Sequence, residues 1–239
     1  MTNTPTPFSY PAGDVICKGV YYSPDTPSAP LPVILIAHAW DGLVPDIQEK
    51  ARKLAASGYI AFAVDIYGNG KTESDFTKLE QTLGPYMADR KRLLQRMDAA
   101  FQAALTIPGA DPQRIGAMGY CFGGTAVLDL ARGGNSAVKG VVSFHGRLTD
   151  NGLNQNGPIA AKILILHGDD DPLVPADQVA DFKQEMNRKQ ADWQVHAFSG
   201  TVHSFTRPDA NHPGLGAVYN ARSDRRAWQA MLNFFAEVV

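Results

Sequence analysis

Six short stretches of the chain are almost continuously apolar and rich in valine and isoleucine: residues 33–37, 60–65, 114–120, 140–144, 163–167 and 194–198. Runs of this length fit strands buried on both faces of a sheet. Between and after them, apolar residues recur at spacings of three and four in residues 46–57, 90–105, 124–131, 176–188 and 225–238, which is the period of a helix with one buried side. Gly58 follows the first of these segments and Pro175 precedes the fourth, where helix stops and starts favour such residues. Strand and helix alternate, so the pattern predicts an α/β fold, a mostly parallel sheet with helices on both faces. Residues 14–22 are expected to add an antiparallel edge strand, followed by a proline-rich loop over 24–32. Residues 69–84 and 151–157 read as polar connections, and 206–216 as a long irregular stretch of the kind that often carries function.

Composition narrows the possible partners. The 239 residues are 44% hydrophobic and 19% charged, enough for one full core, and residues 1–239 are read as a single domain. The formal net charge is −2 and no lysine–arginine run is long enough to follow a phosphate backbone, which excludes nucleic acid and points to a small molecule. No apolar stretch reaches membrane-spanning length, and the N-terminal residues lack the cationic-then-apolar order of a leader, so a cytoplasmic chain with no membrane partner is expected. The two cysteines, Cys17 and Cys121, form no disulfide framework. Nothing in the sequence fixes the oligomeric state.

The strongest chemical signal is Gly119-Tyr120-Cys121-Phe122-Gly123-Gly124, which sits between a strand run and a helix run. A nucleophile at the tip of a tight strand-to-helix turn has a strained backbone, and side chains two positions to either side would collide, so glycines belong there. The first amides and the positive dipole end of the following helix favour thiolate over thiol. Cys17 lies outside any such motif and reads as a buried structural cysteine.

A nucleophile elbow needs an acid and then a histidine at the ends of later strands. After the fifth run come Asp169, Asp170 and Asp171, any one of which can orient an imidazole; after the sixth comes His203 in Gly200-Thr201-Val202-His203-Ser204-Phe205. His203 is the expected base by order and position. His38, His145 and His167 also stand at strand ends, and each is open to two readings, cleft lining or satisfied core residue. No His-x-x-x-His or Cys-x-x-Cys spacing supports a metal site.

Taken together, the Gly119–Gly124 motif, the turn Asp171-Pro172-Leu173-Val174-Pro175 and Gly200-x-x-His203-Ser204-Phe205 resemble the dienelactone hydrolase family, over nearly the whole chain. The resemblance implies an α/β-hydrolase fold, no cofactor, and a cysteine that attacks a cyclic enol ester through a covalent thioester. It selects Asp171 as the acid, because the family acid is followed by x-x-Val-Pro. It makes the loop His38-Ala39-Trp40-Asp41-Gly42-Leu43 an oxyanion-hole loop, with the Trp40 and Phe122 amides as donors. Ala39 stands where many family members carry a glutamate. By the same resemblance Arg207 would grip a substrate carboxylate, with Tyr86 and Arg90 as further pocket candidates; His145 joins them by its place at a strand end. Small, carboxylate-bearing lactones or esters are thus the expected substrates. The competing expectations are a carboxylesterase or thioesterase acting on neutral substrates, and a non-catalytic ligand-binding member of the fold.

Overall fold

The computed structural model describes residues 4–24, 30–150, 152–153 and 157–239. The expected loops over 24–32 and 151–157 fall partly outside the described residues. Eight strands form one sheet: β1 (Thr6–Ala12), β2 (Val15–Tyr22), β3 (Leu31–Ala37), β4 (Ile60–Val64), β5 (Ala110–Tyr120), β6 (Val138–Phe144), β7 (Lys162–Gly168) and β8 (Trp193–Phe198). Their spatial order is β1-β2-β4-β3-β5-β6-β7-β8. From β4 to β8 every neighbouring pair is parallel; β1 and β2 form an antiparallel hairpin, and β2 joins β4 antiparallel. The helices are α1 (Pro45–Ala55), α2 (Leu79–Ala88), α3 (Arg90–Ala104), α4 (Phe122–Arg132), α5 (Ala176–Arg188) and α6 (Ala221–Val238). No described helix is long and apolar enough to cross a membrane.

Strand alternation divides the apolar residues between two cores. Val33, Leu35 and Ala37 of β3 and Ile60, Phe62 and Val64 of β4 pack with Leu93 and Met97 of α3, Val127 of α4 and Phe182 of α5. Their neighbours Ile34, Ile36, Ala61 and Ala63 face the opposite way, against Ile47 and Leu54 of α1 and Met231 and Phe235 of α6. Period-two burial on both faces is why these strands read as continuous apolar runs. The helices close both faces of this mostly parallel sheet, the α/β architecture that the sequence pattern predicts.

Three elements differ from the sequence reading. The antiparallel edge is a two-stranded hairpin rather than one strand, because β1 alternates polar and apolar residues over only seven positions. Helix α2 occupies part of the stretch expected to be a connection; Pro85 lies inside it and its period is weak. β8 is not buried on both sides, since it is the sheet's outer strand and Gln194, His196 and Ala197 are exposed.

A buried ionic group anchors the segment that follows β6. Arg132, fully buried at the end of α4, donates to both Glu185 oxygens at 2.9 and 2.6 Å and to the Leu148 and Thr149 carbonyls at 2.7 and 3.0 Å. Lys189 donates to the same Glu185 at 2.9 Å. Removing one member of such a group leaves charge and carbonyls without partners in low dielectric. Arg132→Met is expected to lower unfolding free energy by about 3–5 kcal/mol, read from urea denaturation; a loss under about 1 kcal/mol would mean that solvent replaces the arginine.

Candidate functional site

Strand β5 runs into α4 with a single residue, Cys121, at the turn. Its φ is 52° and ψ −113°, a conformation that L residues rarely adopt. The Cys121 amide donates to the Phe144 carbonyl at 3.0 Å, tying the turn to the end of β6. A Cβ on Gly119 would overlap the Gly123 carbonyl, and one on Gly123 would overlap the Ala37 and His38 backbone. The two glycines therefore let α4 begin directly over the ends of β5 and β3. This packing sets the Phe122 amide beside the loop after β3 and leaves Cys121 partly exposed.

His203 lies in the loop after β8 and is held from two sides: its amide donates to the Gly216 carbonyl at 2.9 Å and its carbonyl accepts from the Val218 amide at 3.0 Å. The imidazole is buried, with Nε2 3.2 Å from Cys121 Sγ and Nδ1 2.7 Å from Asp171 Oδ2. The other Asp171 oxygen accepts from the Leu173 amide at 2.8 Å, so the carboxylate is fixed at both ends. Asp169 and Asp170 are exposed and brace the turn through their amides, which donate to the carbonyls of Phe198 and Thr201. Of the three adjacent aspartates, Asp171 alone is buried against the imidazole. Burial by itself pulls the His203 pKa down; the negative sulfur of Cys121 and the Asp171 hydrogen bond outweigh it and push the pKa up to about 10.

The loop after β3 is equally constrained. His38 is fully buried; its Nε2 accepts from the Ile66 amide at 3.2 Å and its Nδ1–H donates to the Ala39 carbonyl at 2.6 Å, which fixes a neutral tautomer. In a trans peptide the N–H points opposite the C=O, so this bond turns the Trp40 amide to the far side of its peptide from the His38 ring. The Tyr67 hydroxyl donates to the Trp40 carbonyl at 2.7 Å and fixes the next peptide as well. Both His38 nitrogens are thereby used, so the second of the two readings, a satisfied core histidine, describes it.

The remaining candidates divide between the site and its support. His145 sits against His203, ring centroids 4.9 Å apart and edge to face; its Nε2 is 2.9 Å from Thr206 Oγ1, and burial holds its pKa well below the ordinary value, hence neutral. Tyr86 is buried edge-on to Phe122, with its hydroxyl donating to the Tyr67 carbonyl at 3.1 Å, so it backs the elbow. Arg90 does not offer a free guanidinium. It makes a two-pronged bond, 2.6 Å on each prong, to the fully buried Asp129, two turns along α4 from Cys121, and joins α3 to α4. Arg207 is likewise engaged: Nη1 donates to Asp41 Oδ2 at 2.5 Å and Nε to Asp209 Oδ1 at 2.8 Å. Arg207, expected to grip a substrate carboxylate, and Arg90, a further pocket candidate, thus each stand paired with carboxylates of the chain itself. Asp41, buried next to Trp40, is the residue that the sequence reading passed over; a carboxylate inside an oxyanion-type loop was the available signal.

Two outcomes check this geometry. Cys121→Ser puts a neutral hydroxyl in place of the sulfur whose charge raises the His203 pKa, so that pKa should fall in imidazole NMR titrations; an unchanged value would mean that the sulfur carries no charge beside it. Gly123→Ala should lower unfolding free energy by about 3 kcal/mol or prevent folding, since the clash is with backbone; a neutral effect in urea denaturation would contradict the close approach of α4 to β3.

The dienelactone hydrolase family model matches residues 17–239. A solved dienelactone hydrolase-like promiscuous phosphotriesterase from metagenomic libraries is 34% identical with a TM-score of 0.92, and the similarity covers 98% of each chain. A Yersinia pestis protein named "Putative carboxymethylenebutenolidase" is 26% identical over 90% of this chain and 81% of its own length. The dienelactone hydrolase of Anabaena variabilis shares the fold at a TM-score of 0.71 and 19% identity, covering 99% of this chain and 98% of its own. The model's match, which begins in β2 and runs to the last residue, places the chain in the dienelactone hydrolase family.

Proposed function

We propose that the protein hydrolyses small carboxylic esters and lactones with Cys121 as nucleophile, His203 as proton carrier and Asp171 as its orienting acid. The observation that carries this reading is one imidazole bonded at the same time to Cys121 Sγ, at 3.2 Å, and to Asp171, at 2.7 Å, with the sulfur at the tip of the elbow. Membership of the family supports ester or lactone hydrolysis as the reaction class.

In the proposed cycle the Cys121 thiolate attacks the carbonyl carbon, and the electron pair of the C=O bond moves to oxygen. The Trp40 and Phe122 amides receive that oxyanion; donors so placed are each worth on the order of 3 kcal/mol of barrier. As the oxyanion collapses, the C–O bond to the alcohol portion breaks and its oxygen takes the proton from His203 Nε2. A thioester on Cys121 remains. Water then loses a proton to the neutral imidazole and attacks the thioester carbon; the C–S bond breaks, releasing the acid and restoring the thiolate. Asp171 holds the Nδ1–H throughout and supports the imidazolium. In a lactone the two products stay joined as one hydroxy acid. The two cysteines are unpaired thiols, which fits a reducing compartment such as the cytoplasm.

Turnover of a panel containing phenyl acetate and dihydrocoumarin tests the proposal. Cys121→Ala should reduce kcat at least ~10⁴-fold with an unchanged urea midpoint; a rate within tenfold of the parent would remove cysteine from the mechanism. The direction of the His203 shift predicts the pH profile. Because its folded pKa lies above the ordinary 6.5, the imidazolium needed to protonate the leaving oxygen persists below that raised pKa and is lost as pH rises through about 10. Asp171→Asn removes one cause of the rise, so the alkaline limb of kcat/KM should move to lower pH, and a limb that stays in place would exclude His203 as the group responsible.

A further inference from the structure

We infer that this site selects neutral acyl substrates and rejects anionic ones, because the Arg207 guanidinium is already held by Asp41 and Asp209. The inference rests on the hydrolase reading above and names the substrate class of that site. Arg207 bridges the two loops that meet at Cys121: Asp41 belongs to the loop after β3, next to Trp40, and Arg207 follows His203 by four residues. Nη1 donates to Asp41 at 2.5 Å; Nε and Nη2 donate to the two Asp209 oxygens at 2.8 and 3.3 Å. The planar fork that would seize a carboxylate in two-pronged fashion is filled by Asp209.

Arg207 faces two carboxylates, and the Lys50 ammonium that also acts on Asp209 is itself paired with Asp46, so the bridge and these neighbours keep a net negative charge. Asp41 is buried, and its second oxygen, Oδ1, has no hydrogen-bond donor among the described residues, so Arg207 answers only part of that carboxylate. The negative charge of Asp171 and of a Cys121 thiolate, against one imidazolium, adds to the same sign. An incoming carboxylate meets repulsion in a partly desolvated site, where charges act more strongly than in bulk water. Arg90, the other arginine expected at the pocket, is consumed by Asp129. Apolar surface accompanies this charge pattern. Phe76, 53% exposed, stands edge-on to Trp40 at 5.4 Å between ring centroids. Leu173 and Leu215, 41% and 53% exposed, lie on the segments that hold Asp171 and His203. Uncharged esters and lactones with apolar groups match these features.

The test compares p-nitrophenyl butyrate with mono-p-nitrophenyl glutarate, which adds a terminal carboxylate to a similar acyl chain. The parent protein should favour the neutral ester in kcat/KM by roughly tenfold or more after correction for their intrinsic reactivities. Asp209→Asn and Asp41→Asn should each reduce that ratio several-fold, and Arg207→Ala should raise it. A parent preference for the anionic ester, or a preference for it that Arg207→Ala abolishes, would overturn the inference. A second readout is independent of turnover: the alkylation rates of Cys121 by iodoacetamide and by iodoacetate, in a Cys17→Ser background and relative to free thiol. The same ordering of variants is expected, and a relative preference for iodoacetate would again overturn the inference. If neither ester is cleaved while alkylation follows the predicted order, the hydrolase reading fails and the charge selection stands. If both are cleaved with the anion preferred, the reverse holds.

Discussion

The contact on which the site depends is the approach of α4 to the strand ends beneath it, closer than any residue with a side chain would allow. With Cβ atoms excluded at Gly119 and Gly123, the helix begins one residue past β5, and Cys121 takes up a backbone conformation that its own chemistry does not favour. Every other distance in the site follows from that position. The sulfur stands within hydrogen-bond reach of His203, the Phe122 amide is fixed beside the loop after β3, and the dipole end of α4 points at the sulfur. The strain is held in place by two deep cores, one on each face of the sheet, and by the Arg132–Glu185 group at the far end of the same helix.

The charges around the sulfur form two separate sets. Asp171, His203 and Cys121 make a line of hydrogen-bonded atoms, and the effect of burial on the imidazole is outweighed by the groups on either side of it. Asp41, Arg207 and Asp209 make a second line that joins two loops and pairs the guanidinium with carboxylates of the chain itself. How an arginine acts depends on the neighbours that hold its donors, and here Arg90 and Arg207 both bridge segments of the chain. His38 illustrates the point for histidine, since both its nitrogens are spent on backbone groups and its contribution is to orient a peptide.

Much of this was legible in the residue order. Period-two and period-3.6 patterns located the parallel strands and five helices, because burial on both sheet faces leaves a strong apolar signature. The elbow was visible because sterics restrict its flanking positions to glycine, and the placement of His203 beside Cys121 because the topology brings the loops after the later strands to the same sheet edge. Helix α2 was not legible, since its period is weak and a proline lies within it. β1 gave little signal because it is short and lies at an edge with one face in water. The partners of Arg207 and Arg90 were hidden for a different reason: Asp41 lies 166 residues from Arg207 in the chain, and Asp129 39 residues from Arg90, so pairing depends on the packed structure and on nothing local.

The central claim is that acyl transfer passes through the sulfur of Cys121. Rapid acid quench of the protein with p-nitrophenyl butyrate, followed by intact and peptide mass spectrometry, tests it most directly. The account predicts a transient adduct of one butyryl group on the peptide containing Cys121, formed before steady-state turnover and absent from Cys121→Ala. Turnover with the acyl group captured on another side chain, or with full activity in the alanine variant, would contradict it.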